Sequence, residues 1–347
     1  MNHSFHTSCL AAGVLAAVFV FGNHSAVQDP TETGAFNFKA PKDWEFVLPS
    51  ESWTTIYGGI PIAHGNEEGF LVNNEPYTLT VDTDGNGKPD EEVKGVHGLV
   101  ELRGVRADGS KFKYVARIRN ENDLWQFACG GTMQGKLGGT TVTLIDQNNN
   151  GRWNDYGEDA MVIGDSTAAC LLSRAVSLGG KVFALEVSET GESATIRPFE
   201  GEVGVLDMAS GFGTDGKLLS VVMESVDGAY SFELASERSG LKVPAGQYRL
   251  VFAYGRKGGE SVKGRDGHMK AVRVDPNETR VVQWGAPVQL EFNWSPTGPG
   301  EIQVEIPSFF GAAGEEWYEF QPDAKSPKIF VLDAKGKELW SGQFGGC

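Results

Sequence analysis

Two stretches hold the residue types and spacing from which chemistry can be read: Asp82-Thr-Asp-Gly-Asn-Gly-Lys-Pro-Asp-Glu-Glu92 and Asp146-Gln-Asn-Asn-Asn-Gly-Arg-Trp-Asn-Asp-Tyr-Gly-Glu-Asp159. In both, oxygen-bearing side chains recur at relative positions one, three, five and nine, with glycine at six. A hard divalent cation needs this arrangement when a short loop must wrap around it, and Ca2+ is the ion it suits. The first set of candidate ligands is Asp82, Asp84, Asn86, the carbonyl of Lys88, and Asp90. The second is Asp146, Asn148, Asn150, the carbonyl of Arg152, and Asn154. Position twelve is Val93 in one and Gly157 in the other, so the closing carboxylate must come from another offset. Glu91 or Glu92 is the candidate for the first loop, with Glu92 preferred; Asp155, Glu158 or Asp159 is the candidate for the second, with Asp159 preferred. The competing reading is that alternating Asp and Asn merely build turns, because both side chains cap their own backbone. With amides where the first loop has Asp84 and Asp90, the second should bind more weakly.

The lack of Glu at position twelve and the strand-like flanks separate both loops from a true EF-hand. The first string more closely resembles the shorter Asp-x-Asp-x-Asn-Gly-x-x-Asp loops of dockerin-like, thrombospondin-like and other exported bacterial calcium proteins. That resemblance implies a structural Ca2+ ion and carries no activity with it.

The elements that must position these loops are strands. With 46 glycines and 15 prolines spread along 347 residues, long helices have little room. Runs such as Tyr77-Thr-Leu-Thr-Val81, Thr140-Thr-Val-Thr-Leu-Ile145, Lys181-Val-Phe-Ala-Leu-Glu-Val187 and Tyr248-Arg-Leu-Val-Phe-Ala-Tyr254 are β-rich, many alternating apolar with polar, with turn signals such as Asp108-Gly109 and Asp227-Gly228 between runs. The expected fold is mostly β: antiparallel β-sandwich domains with long metal-binding loops. Only 168–176 reads as helical. The expected division is a signal segment over 1–26, a β-rich domain with both loops over 27–198, a sandwich over 199–293 and a small β segment over 294–347. Within the third, Asp227-Gly-Ala-Tyr-Ser-Phe-Glu-Leu234 and Leu241-Lys-Val-Pro-Ala-Gly-Gln-Tyr-Arg-Leu250 resemble the carboxypeptidase-regulatory or transthyretin-like sandwich, in which the Pro-Ala-Gly-x-Tyr turn opens a core strand.

Acidic residues outnumber basic ones by 46 to 30, a net charge of −16, which argues against nucleic acid and anionic membrane as partners. Leu10 to Gly22 is an apolar run of export-signal length, too short to span a bilayer, so the mature chain is expected to be periplasmic, cell-surface or extracellular with no transmembrane span. Cys129 and Cys170 flank the second loop and are either a disulfide, worth roughly 4 kcal/mol in the chain-entropy model, or two buried thiols. His64, His97 and His268 are too scattered for a zinc site. No nucleophile elbow or phosphate loop occurs, and Asp84 interrupts the one string similar to the Asp-Thr-Gly of aspartic proteases. The function expected is an exported calcium-binding module, its ion structural, that meets surface polysaccharide or another extracellular protein. The alternative is a secreted hydrolase or carbohydrate-binding protein, with the eight tryptophans as the pool for a sugar platform.

Overall fold

A computed structural model describes residues 31–63, 69–322 and 328–343. The apolar run at 10–22, His64 and Cys347 lie outside the described residues. Among those described, every regular element is a strand, and no helix is long and apolar enough to cross a membrane. The expected mostly β, antiparallel architecture is present.

The first large sheet runs in the order Cys170–Leu171, Ala160–Ile163, Thr140–Ile145, Thr132–Leu137, Glu32–Lys39, Ser193–Pro198, Lys181–Val187, Ala175–Leu178. Glu32–Lys39 joins its two halves, pairing through Phe36–Lys39 with Thr132–Leu137 and through Glu32–Ala35 with Ser193–Pro198. Two four-stranded sheets contribute to the same core. One is ordered Thr54–Thr55, Leu124–Cys129, Lys111–Glu121, His97–Val105, and the other Gly59–Ile60, Phe70–Glu75, Thr78–Val81, Glu91–Lys94. Their inward residues, among them Leu79, Val81, Leu102, Tyr114 and Phe127, bury against Phe36, Leu144 and Trp153. Removing that apolar area from water is the principal stabilising term.

The second core lies under a sheet ordered Ser231–Glu233, Lys217–Ser225, Gly246–Lys257, Glu260–Arg265, Glu316–Gln321, Ser308–Phe310, Gln289–Glu291. Lys217–Ser225 is buried continuously from Ser220 to Ser225. Because successive side chains point to opposite faces, Val221 and Met223 enter the second core while Val222 enters the first, so one strand seals both. In the Pro244-Ala-Gly-Gln-Tyr248 turn, the buried Tyr248 hydroxyl donates to the Pro244 carbonyl at 2.7 Å, which pins the turn to the start of its strand.

The segment 168–176 is not helical. Ala168 to Ser173 are all buried, leaving no polar face for a helix to turn to water. Met161 pairs with Cys170, and Ala175–Leu178 turns back at Gly179-Gly180 to pair with Lys181–Val187.

Candidate metal-binding loops

Both loops join neighbouring antiparallel strands. The first leaves Val81 and returns at Glu91, its cross-strand partner; the second leaves Ile145 and returns at Ala160, likewise its partner. The strand ends therefore hold the mouth of each loop at one inter-strand spacing, whatever its length.

Within the loops the same local bonds recur. The carboxylate at position one accepts from the main-chain N–H groups of positions five and six: Asp82 from Asn86 at 3.1 Å and Gly87 at 2.7 Å, and Asp146 from Asn150 at 3.1 Å and Gly151 at 2.7 Å. Asp84 accepts from Asn86 N–H at 3.2 Å, as Asn148 accepts from Asn150 at 3.3 Å. Asn86 accepts from Lys88 N–H at 3.0 Å, as Asn150 accepts from Arg152 at 2.7 Å. These bonds curl the chain so that side-chain oxygens face inward, and they account for the Asx-rich composition by themselves.

Surroundings separate the two. Asp82 is buried, but Asp84 through Asp90 are exposed. Asp90, at the mouth, accepts from Thr83 N–H at 2.8 Å and from the Thr83 hydroxyl at 3.0 Å. The Thr83 main-chain N–H holds its carboxyl below the usual range. Glu92 lies inside the returning strand, exposed and opposite Thr80.

The second loop is embedded. Asn149, in the left-handed region at φ 65°, accepts from Cys129 N–H at 2.7 Å and donates to the Ser52 carbonyl at 3.0 Å. Ala63 N–H donates to the Asn150 carbonyl at 2.7 Å, and Trp153 N–H to Glu189 at 3.0 Å. Gly151 sits at φ 82°, where an added Cβ would meet Ile62 Cγ2 at 2.4 Å and Ala63 N at 2.6 Å. No other residue type fits there without movement.

Asp146 is wholly buried, and its carboxylate also accepts the Tyr114 hydroxyl at 3.0 Å. Burial pushes its pKa up to about 6 against the opposing N–H of Gly151 and the hydroxyl of Tyr114. Asp159 is 1 % exposed. One of its oxygens accepts Asp155 N–H at 2.9 Å; the other, Oδ1, is buried with no hydrogen-bond partner among the described residues. Burial first, then the charge of Asp146, push Asp159 up to about 9. An orphaned oxygen beside a second buried carboxylate is costly in a protein interior, and a cation between them removes that cost.

Asn154, which spacing puts at position nine, also lines a cavity with Tyr156 and Arg174. Asp155, one of the candidate closing carboxylates, faces the loop, accepting from the side-chain amides of Asn148 at 3.0 Å and of Asn150. Glu158 also accepts from Asn148 at 3.0 Å. The contributions of Tyr114 and Asn149 were not legible in the spacing, because both come from pairing across the core. Among the described residues, no three His, Cys, Asp or Glu side chains are already gathered as a metal site. What gathers at the second loop is carboxylate with side-chain amide.

Cys129 and Cys170 are not bonded to each other. Both are buried free thiols, donating to the carbonyls of Gly131 at 3.3 Å and Met161 at 3.5 Å. Burial raises each to about 12. Of the tryptophans, Trp125, Trp153, Trp284 and Trp317 are buried, and Trp44 and Trp53 both pack against the Arg117 guanidinium. Trp294 and Trp340 expose more than half their surface, on two separate hairpins. Compared with known families, curated proteins and solved structures, the chain matches none.

Proposed function

We propose that this is an exported calcium-binding β protein, an interaction module of the cell surface or extracellular space, in which Ca2+ is structural. The observation that carries the reading is the unpartnered, buried Oδ1 of Asp159 close enough to Asp146 for the two charges to oppose each other. At the second loop Asp146, Asn148, Asn150, the Arg152 carbonyl, Asn154 and Asp159 would hold the ion, with Asp155, the other closing candidate that faces the Asn148 and Asn150 amides, beside them. At the first loop the set is Asp82, Asp84, Asn86, the Lys88 carbonyl and Asp90, with Glu92 outside it. Several oxygens of mixed charge on a flexible loop suit Ca2+ better than Mg2+, which demands a compact octahedron. Export rests on the apolar run at 10–22 and on the acidic balance of the chain.

The test is a pair of melting curves of the purified mature chain, in millimolar Ca2+ and in EDTA, with metal analysis of the same sample. Calcium should raise the melting temperature, and EDTA should lower it without abolishing the fold. Identical curves for the wild type would sink the reading.

A further inference from the structure

Past the last strand of the second large sheet the chain continues as a two-stranded ribbon. Gln289–Glu291 pairs with Ser308–Phe310 and stands last in its sheet, and Trp294–Gly298 pairs with Glu301–Val304. Among the described residues no strand pairs with the outer edge of Gln289–Glu291 or of Trp294–Gly298. Apolar residues gather on one face of the hairpin: Trp294 lies opposite Val304 and Pro296 opposite Ile302, while Ser295 and Gln303 pair on the other face. The apolar face is open, with Trp294 62 % and Ile302 50 % exposed. Back along the strand Leu290 lies opposite Phe309, and Phe309 and Val288 wall a cleft of about 350 Å³ together with Phe320 and Trp317 of the second core. The ribbon is also acidic. From Val288 to Ile306 its charged residues are Glu291, Glu301 and Glu305, with no Lys or Arg. Glu305, two residues from Gln303, accepts the Asn293 side-chain amide at 3.0 Å, and Glu291 lies 3.5 Å from His268; among the described residues no Lys or Arg pairs with any of the three.

We infer that the outer edge of residues 289–298 takes an extended segment of a partner protein as an added strand, apolar at alternate positions and basic between them. Three observations carry this. A two-stranded hairpin exposed on both faces is marginally stable in water, and a third strand supplies the pairing it lacks. An added strand sends successive side chains to the two faces of the ribbon, so its apolar residues cover Trp294 and Ile302 while those between them meet the polar face that holds Glu305. Charge then selects the partner over a second copy of this chain, which would bring the same glutamates against one another in a molecule of net charge −16. The inference gives the interaction-module reading a surface and a partner chemistry; it rests on that reading and not on calcium in either loop.

The test is fluorescence anisotropy of a labelled peptide of alternating Lys and Val, titrated with the full mature chain in EDTA at 150 mM salt. The controls are a block peptide of the same composition, all Lys then all Val, and an alternating peptide of Glu and Val. The Lys-Val peptide should bind at least roughly tenfold more tightly than either control. Trp294→Ser and Ile302→Ser change exposed positions, so both should melt with the wild type, and each should weaken binding by roughly tenfold. No binding of the Lys-Val peptide, equal binding of the block peptide, which would show bare charge attraction, equal binding of the Glu-Val peptide, or wild-type affinity in both serine variants would overturn the proposal. So would a wild-type dimer in sedimentation that Trp294→Ser dissociates, which would put a second copy on this face. Because the calcium reading is tested by melting and this one by titration without the ion, either can fail alone.

Discussion

Asp90 and Asp159 occupy the same station in two hairpins: each immediately precedes the residue that pairs with the last residue before its loop, Glu91 with Val81 and Ala160 with Ile145. They lie at different distances along the chain from Asp82 and Asp146, yet the ladder sets both at the mouth of the loop. Their environments then diverge. Asp90 is exposed and satisfied by Thr83, whereas Asp159 is buried with one oxygen unpaired.

From that difference, calcium should act mainly through the second loop. At calcium ten times above Kd, binding to the folded chain alone adds about 1.4 kcal/mol, a shift of a few degrees in Tm. Asp159→Asn should melt in EDTA at or above the wild-type temperature, since it removes a buried acid opposed by Asp146, and should lose most of the calcium shift. Asp82→Ala should retain the larger part of it. Calorimetry on the three chains decides; an undiminished calcium shift in Asp159→Asn would show that the ion does not use this carboxylate.

Gly151 and Gly87 stand at the same relative position of their loops, with φ of 82° and 84°, but only Gly151 has neighbours within reach of an added Cβ. Gly87→Ala should cost about 1 kcal/mol from backbone strain, and Gly151→Ala about 2 kcal/mol more because Ile62 and Ala63 must move. Urea unfolding of both variants gives the comparison. Equal losses would mean that the second loop is not packed against residues 62 and 63.

The thiols of Cys129 and Cys170 should resist a disulfide reagent at pH 8 in the folded chain and react once urea is added. Burial lifts both to about 12, so the folded state keeps its protons where the unfolded thiols have lost theirs. Their stabilising share is therefore full below the ordinary thiol range and falls as pH climbs from about 9 to about 12, by roughly 1.4 kcal/mol per pH unit per thiol. A Cys129→Ala and Cys170→Ala double variant should flatten that fall in urea titrations run at successive pH values.

Glu315 is fully buried and accepts from Gly285 N–H at 2.6 Å, Ala313 N–H at 3.1 Å and the Trp317 indole N–H at 3.2 Å. Glu315→Leu would strand three donors and should cost about 3 kcal/mol or more, with a shift in tryptophan emission as Trp317 loosens. Glu315→Gln keeps an acceptor and should lose less. Equal stability of Glu315→Leu and wild type would refute the bracing role.

Much of this molecule is local and so is legible in its order of residues. Alternation in Thr78–Val81 specifies a strand because side-chain direction has period two, and Asp82, Asn86, Asp146 and Asn150 specify curled loops because each accepts from N–H groups a few residues on. Composition likewise limits helix and sets the acidic balance. What the tertiary structure alone decided is every relation that spans the chain. Asp146 meets the Tyr114 hydroxyl and Asn149 the Cys129 N–H from across the core; Cys129 and Cys170 stay apart; and the 168–176 segment becomes strand. Each depends on which strands pair and what they bury, and those long-range contacts carry no signature in the spacing of nearby residues.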